Sequence, residues 1–169
     1  SGGLVAFPTE TVYGLGANAL DATATKHIYE AKGRPSDNPM IVHVANIDML
    51  NGVASGVTDA QKAIMSKLWP GPITFVLHKN PAVPDVTTGG LDTVAVRWPS
   101  RREAAEIIEA AGVPIAAPSA NISGKPSPTT FEDVAEDMDG RIDAIVKGER
   151  TAIGIESTVL DLTSEVPTI

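Results

Sequence analysis

Four short segments gather most of the side chains that could do chemistry. Pro8-Thr9-Glu10-Thr11-Val12-Tyr13-Gly14-Leu15-Gly16 offers two hydroxyls, a carboxylate and a phenol beside permissive glycines. A capped turn, with Thr9 or Thr11 as the cap, explains it equally well. Lys32-Gly33-Arg34-Pro35, followed by Asn38-Pro39, sets a point charge and a planar fork close together, the chemistry of a phosphate or carboxylate site. Cations at a helix C-terminus are the plain alternative. Ala116-Ala117-Pro118-Ser119-Ala120-Asn121-Ile122-Ser123-Gly124-Lys125-Pro126-Ser127 packs neutral hydrogen-bonding groups among residues small enough for a ligand to reach the backbone. Glu156-Ser157-Thr158 enters the last apolar run, where edge capping is the simpler reading.

Two further residues stand apart. Arg97 ends the run Val94-Ala95-Val96-Arg97, with Thr93 on the same strand face four residues earlier. His43 follows Ile41-Val42 and reads first as a satisfied structural histidine. Trp69 and Trp98 sit beside prolines and read as packing residues, and Glu132, Asp133, Glu136, Asp137 and Asp139 read as a solvated helix face.

Composition removes whole classes of chemistry. The chain has 169 residues and no cysteine, which excludes disulfides, thiolate metal sites and a cysteine nucleophile. No phosphate-loop, dinucleotide or paired-histidine zinc signature occurs. No apolar run approaches the roughly 20 residues that span a bilayer, and no leader pattern precedes Leu4, so a soluble, cytoplasmic protein is expected. The net charge of -8 opposes non-specific nucleic-acid binding.

The elements that position these groups follow from periodicity. Strands are expected at 4–7, stopped by Pro8, and at 40–44, 73–77, 93–97, 115–117, 144–146 and 158–162. Helices are expected from Asp21 to Gly33, from a Thr58/Gln61 capping box, from a Ser100/Glu103 capping box to Ala111-Gly112, and from about Thr130 to Met138. Strands interleaved with helices of uneven connection predict a layered α/β domain with a mixed sheet.

The four segments, in this order and spacing, resemble the YrdC-like domain of the threonylcarbamoyl-AMP synthases over nearly the whole chain. The resemblance implies a three-layer α/β fold, a twisted mixed sheet flanked by helices around a deep, positively lined cavity. It implies condensation of L-threonine, bicarbonate or CO2 and ATP into threonylcarbamoyl-AMP and pyrophosphate. Mg2+ would be carried by the triphosphate, with no metal ligand assigned to the protein. A downstream transferase complex would pass the group to tRNA.

By the same resemblance Thr11, His43, Arg97, Ala117 and Ser157 would contact threonine, and Arg34, Asn38, Thr93, Ser119 and Ser127 would contact ATP. Lys32 and Arg34 would be catalytic, neutralising the two anionic reactants. Tyr13, Lys32 and Asn121 would line the cavity. Residues 1–169 would be the catalytic domain of a long, two-domain member, cut at both ends and lacking the second domain and its preceding Arg-bearing segment. Two alternatives stay open: an RNA-binding module with weak affinity for tRNA or double-stranded RNA, and the YrdC-like domain of a hydrogenase-maturation carbamoyltransferase.

Overall fold

The computed structural model describes residues 2–169. Eight strands form one mixed sheet: β1 (Val5–Pro8), β2 (Tyr13–Asn18), β3 (Ile41–His43), β4 (Ile73–His78), β5 (Thr93–Arg97), β6 (Ile115–Ala116), β7 (Ala144–Ile145) and β8 (Thr158–Asp161). Their order across the sheet is β7-β1-β2-β6-β3-β5-β4-β8. β1/β7, β3/β5 and β4/β8 pair in parallel, and the other neighbours are antiparallel. The described residues also form five helices: α1 (Ala22–Lys32), α2 (Ile47–Val53), α3 (Asp59–Leu68), α4 (Arg102–Ala111) and α5 (Phe131–Met138). The expected layered α/β architecture with a mixed sheet is what the chain adopts.

Caps account for most helix ends. The Asp21 carboxylate accepts from the amides of Thr23 and Ala24, and Gly33 closes α1 in the left-handed conformation that costs glycine least. Thr58 and Gln61 form the expected reciprocal box at α3, and Thr130 with Asp133 forms one at α5. At α4 the expected Ser100/Glu103 box does not form. The Ser100 amide donates to Glu10 Oε1 at 3.1 Å, and Glu103 is held by Arg101 at 2.9 Å, so α4 begins at Arg102 without a side-chain cap.

Alternation along the strands separates two faces. Ala6, Leu15, Val42, Phe75, Val94, Val96 and Ala116 join the larger core, where α1, α2, α3 and α5 contribute Ile28, Leu50, Met65 and Val134. The opposite face carries a smaller cluster, Phe7, Ile115 and Ala117 under Ala104 and Ile108 of α4. On this second face, past the α4 cluster, lie His43, Arg97 and Thr74, directly opposed on β3, β5 and β4. Trp69 and Trp98 pack as expected: Trp69 meets Phe75 edge-on at 4.9 Å and donates its indole N–H to the Ile73 carbonyl.

Three elements depart from the sequence reading. β2 runs through what looked like a turn segment, because its glycines are required by close approach. A Cβ at Gly16 would stand 2.7 Å from Phe7 and 2.8 Å from Ile115. α2 is only seven residues long, too brief to show a period, and is fixed by Asn46, whose side chain accepts from the Met49 amide. β1 also includes Pro8, which faces Tyr13 at the end of the ladder.

Candidate active site

The turn between β1 and β2 builds the first wall. Thr9 Oγ1 donates to the Val12 carbonyl at 2.6 Å and accepts from the amides of Thr11 and Val12, closing the turn. Thr9 is therefore the capping residue, and Thr11 is left to face Arg97, whose Nη1 donates to Thr11 Oγ1 at 2.7 Å. The second wall is the loop after β6. The Leu15 amide donates to the Pro118 carbonyl and the Ala120 amide to the Tyr13 carbonyl, so Ala117–Ala120 lies along β2.

Between these walls is a narrow cavity of about 40 Å3. Thr11, His43, Arg97, Ala117 and Ser119 all line it, together with Glu156. Ser157 stands beside it: its hydroxyl shares a 2.7 Å hydrogen bond with Thr74 Oγ1, and Thr74 opposes Arg97 in the β4–β5 ladder. Residues 11, 97 and 157, far apart in sequence, are thus linked by side-chain hydrogen bonds and by the register that sets Thr74 against Arg97.

The cations are not bare. Arg97 is buried, its Nε donates to the Gly71 carbonyl at 3.3 Å, and its Nη2 lies 2.8 Å from Glu10 Oε1 in an ion pair. Burial pushes the Glu10 carboxyl up, but the adjacent Arg97 charge and hydrogen bonds outweigh it and leave Glu10 below its ordinary range. Each Nη of Arg97 carries two N–H groups, so donors remain for a ligand. His43 is fully buried, and burial followed by the Arg97 charge depresses it to about 3, so it is neutral at physiological pH. Its Nδ1 has no hydrogen-bond partner.

Lys32 is also buried, at the end of α1. Its Nζ donates to the Ser119 carbonyl and, at 2.6 Å, to the Asn121 carbonyl. Burial, then the charge of Arg34, lowers it to about 8. Arg34 is half-buried and folds back on its own loop, Nη2 donating to the Pro39 carbonyl at 3.0 Å. The negative charge of Glu156 is felt by both Lys32 and Arg34. Ser127 donates to Glu156 Oε1 at 2.6 Å, which sets it against a residue that lines the cavity.

Other expected positions lie elsewhere. The Tyr13 side chain is buried against Gly148, whose carbonyl accepts from its hydroxyl at 3.1 Å, and does not line the cavity. Asn121 turns its amide to the carbonyls of Ile122 and Lys125, bracing the loop instead. Asn38 is exposed and uses its carbonyl to accept from Tyr29, while Thr93 is half-buried at the start of β5, facing His78. Asp137 is not part of a solvated face: it is 8 % exposed and holds the Ile122 amide and Lys125. Sequence reasoning missed Glu10 and Thr74 as site residues. Glu10 was visible inside its segment, whereas Thr74 has no local signal and is found only through register.

Among the described residues, no group of three or more His, Asp or Glu side chains could hold a metal ion, and no helix is long and apolar enough to cross a membrane.

Comparison with known proteins places this geometry. Threonylcarbamoyl-AMP synthase of Pyrococcus abyssi is 57 % identical over 99 % of this chain and 49 % of its own length. That of Bacillus subtilis is 54 % identical over 98 % of this chain and 48 % of its own. The crystal structure of P. abyssi Sua5 complexed with L-threonine superposes with a TM-score of 0.96 at 58 % identity, covering 98 % of this chain and 49 % of that one. The chain spans about half the length of the relatives it matches. The Sua5/YciO/YrdC family model, described as "Telomere recombination", matches residues 1–169, and the chain belongs to that family.

Proposed function

We propose that this chain is the domain that condenses L-threonine, bicarbonate or CO2 and ATP into L-threonylcarbamoyl-AMP, as a nucleotidyltransferase. The observation that carries the reading is the convergence of Thr11, His43, Arg97, Ala117 and Ser119 on one cavity with Ser157 beside it. The names of the relatives and the threonine complex of the P. abyssi protein support it.

The chemistry divides between the two sides of the site. The free Nη hydrogens of Arg97 take the threonine carboxylate, held rigid by Glu10, Thr11 and Gly71. Neutral His43 and Thr11 serve the hydroxyl end. The neutral threonine amine attacks the carbon of CO2, releasing one proton to solvent, or that of bicarbonate, expelling water, and either route gives the carbamate. A carbamate oxygen then attacks the α-phosphorus of ATP, and the bond to pyrophosphate breaks. No enzyme nucleophile is needed, and positioning can contribute about 7–11 kcal/mol.

ATP lies on the Arg34, Asn38, Thr93, Ser119 and Ser127 side, where Arg34 offsets the repulsion of the reacting anions. Lys32 acts there through the carbonyls it holds. Mg2+ accompanies the phosphates, and no residue here is assigned to it. The product passes to a transferase acting on tRNA, in the cytoplasm.

The test is pyrophosphate release that depends on both threonine and bicarbonate. Arg34→Ala, at a half-exposed position, is expected to abolish it with the fold intact. Threonine-independent ATP hydrolysis, or full turnover in Arg34→Ala, would overturn the reading.

A further inference from the structure

The loop from Ser119 to Lys125 has almost no secondary structure of its own, yet carries Ser119 into the cavity. Two buried side chains of opposite charge, one from α1 and one from α5, hold it. Lys32, ending α1, satisfies loop carbonyls at Ser119 and Asn121, and its own carbonyl accepts the Ser123 amide at 2.8 Å. Asp137, near the end of α5, satisfies a loop amide: the Ile122 N–H donates to its Oδ2 at 3.1 Å. Its other oxygen takes the Lys125 ammonium at 2.5 Å. Each charge meets the backbone pole it suits, cation to carbonyl and anion to amide. A buried backbone group stripped of such a partner carries a desolvation penalty, so the loop has a strong reason to stay in this one position.

Asp137 touches no group assigned to substrate. Its reach is through one amide, three residues from Ser119, and through Lys125, two residues from Ser127. On the threonine side Thr11, His43 and Arg97 stand on the β1–β2 turn and the sheet, and Arg97 is held by Thr11, Glu10 and Gly71 rather than by this loop, which adds Ser119 to the same cavity.

We infer that Asp137 is a positioning residue: acting through the Ile122 amide, it fixes the Ser119–Ser127 loop for nucleotide binding, and reaches the amino-acid side only through the wall that Ser119 adds to the cavity. The inference rests on the functional reading above.

Steady-state kinetics and amide hydrogen exchange on the purified protein test it. Asp137→Ala is expected to raise the KM for ATP about tenfold or more, as a misplaced binding loop does, while the KM for threonine stays within about threefold. The Ile122 and Ser123 amides should lose protection. Asp137→Asn, whose carboxamide oxygen still accepts the Ile122 N–H, should restore both properties, which a mere requirement for charge would not allow. Asp137→Ser reads the same contrast with a smaller cavity should the alanine variant not fold. Equal changes in both KM values, or unaltered exchange at Ile122, would overturn the inference. If the unmodified protein shows no threonine-dependent turnover, the functional reading fails, and the exchange contrast between the alanine and asparagine variants still decides whether Asp137 holds the loop.

Discussion

Glu10 Oε1 lies 2.8 Å from Arg97 Nη2, and both residues are almost closed to water. The pair joins the β1–β2 turn to the end of β5, and Glu10 also accepts the Ser100 amide ahead of α4. Removing one partner leaves a buried charge uncompensated, which costs about 3–5 kcal/mol. Glu10→Gln should therefore destabilise strongly in urea unfolding. Glu10→Gln with Arg97→Met should be less harmful than the sum of the two single changes, and additivity in that cycle would contradict the coupling.

His43 gives a pH signature. Its unfolded value is 6.5 and its folded value about 3, so below pH 6.5 the unfolded chain takes up a proton that the folded one refuses. Its contribution is fully present above pH 6.5 and is lost as pH falls. One such group removes about 2 kcal/mol between pH 6.5 and 5. The shift at Glu10 acts the same way but below its ordinary 4.5, leaving the higher window to His43. His43→Gln should flatten the stability curve from pH 5 to 6.5, measured by chemical denaturation.

Lys32 separates binding from folding. Folded, it loses its proton near pH 8, and with it the charge that holds the Ser119 and Asn121 carbonyls. The KM for ATP should climb above pH 8, and Lys32→Arg should abolish that climb. Stability moves the opposite way. Between pH 8 and 10.5 the unfolded lysine keeps a proton that the folded one has released, so this group's contribution rises with pH there. A KM profile flat to pH 9.5 would contradict the assignment.

Gly16 tests the closeness of β2 to its neighbours. A methyl group there meets the Phe7 ring and the Ile115 side chain inside contact distance. Gly16→Ala is expected to cost about 1–3 kcal/mol as an overpacked site, seen as a lowered Tm. An unchanged Tm would mean that Phe7 moves aside freely.

Local chemistry made much of this legible. Thr93–Arg97 alternates cleanly and is a strand with the bounds its pattern implies, and Asp21, Thr58 and Gly33 announce helix ends by their own hydrogen bonds. The four polar segments were visible as candidates because hydroxyls, amides and cations crowd where strands end. What stayed hidden depends on partners far along the chain. Ser100 loses its cap because Glu10, ninety residues earlier, takes its amide. Asp137 looks like one more acid on a helix face until the Ile122 amide arrives beside it. Tyr13 could be placed in its segment, but only the fold turns it toward Gly148.

The parallel pairing of β8 with β4 carries a consequence for synthesis. During translation the early strands can collapse while Thr74 still lacks Ser157, and the pocket stays open on that side until Ser157–Asp161 has left the ribosome and threaded in beside β4. Such distant closure is slow relative to helix formation, so a nascent chain would hold the early strands in place while the pocket still lacks this wall.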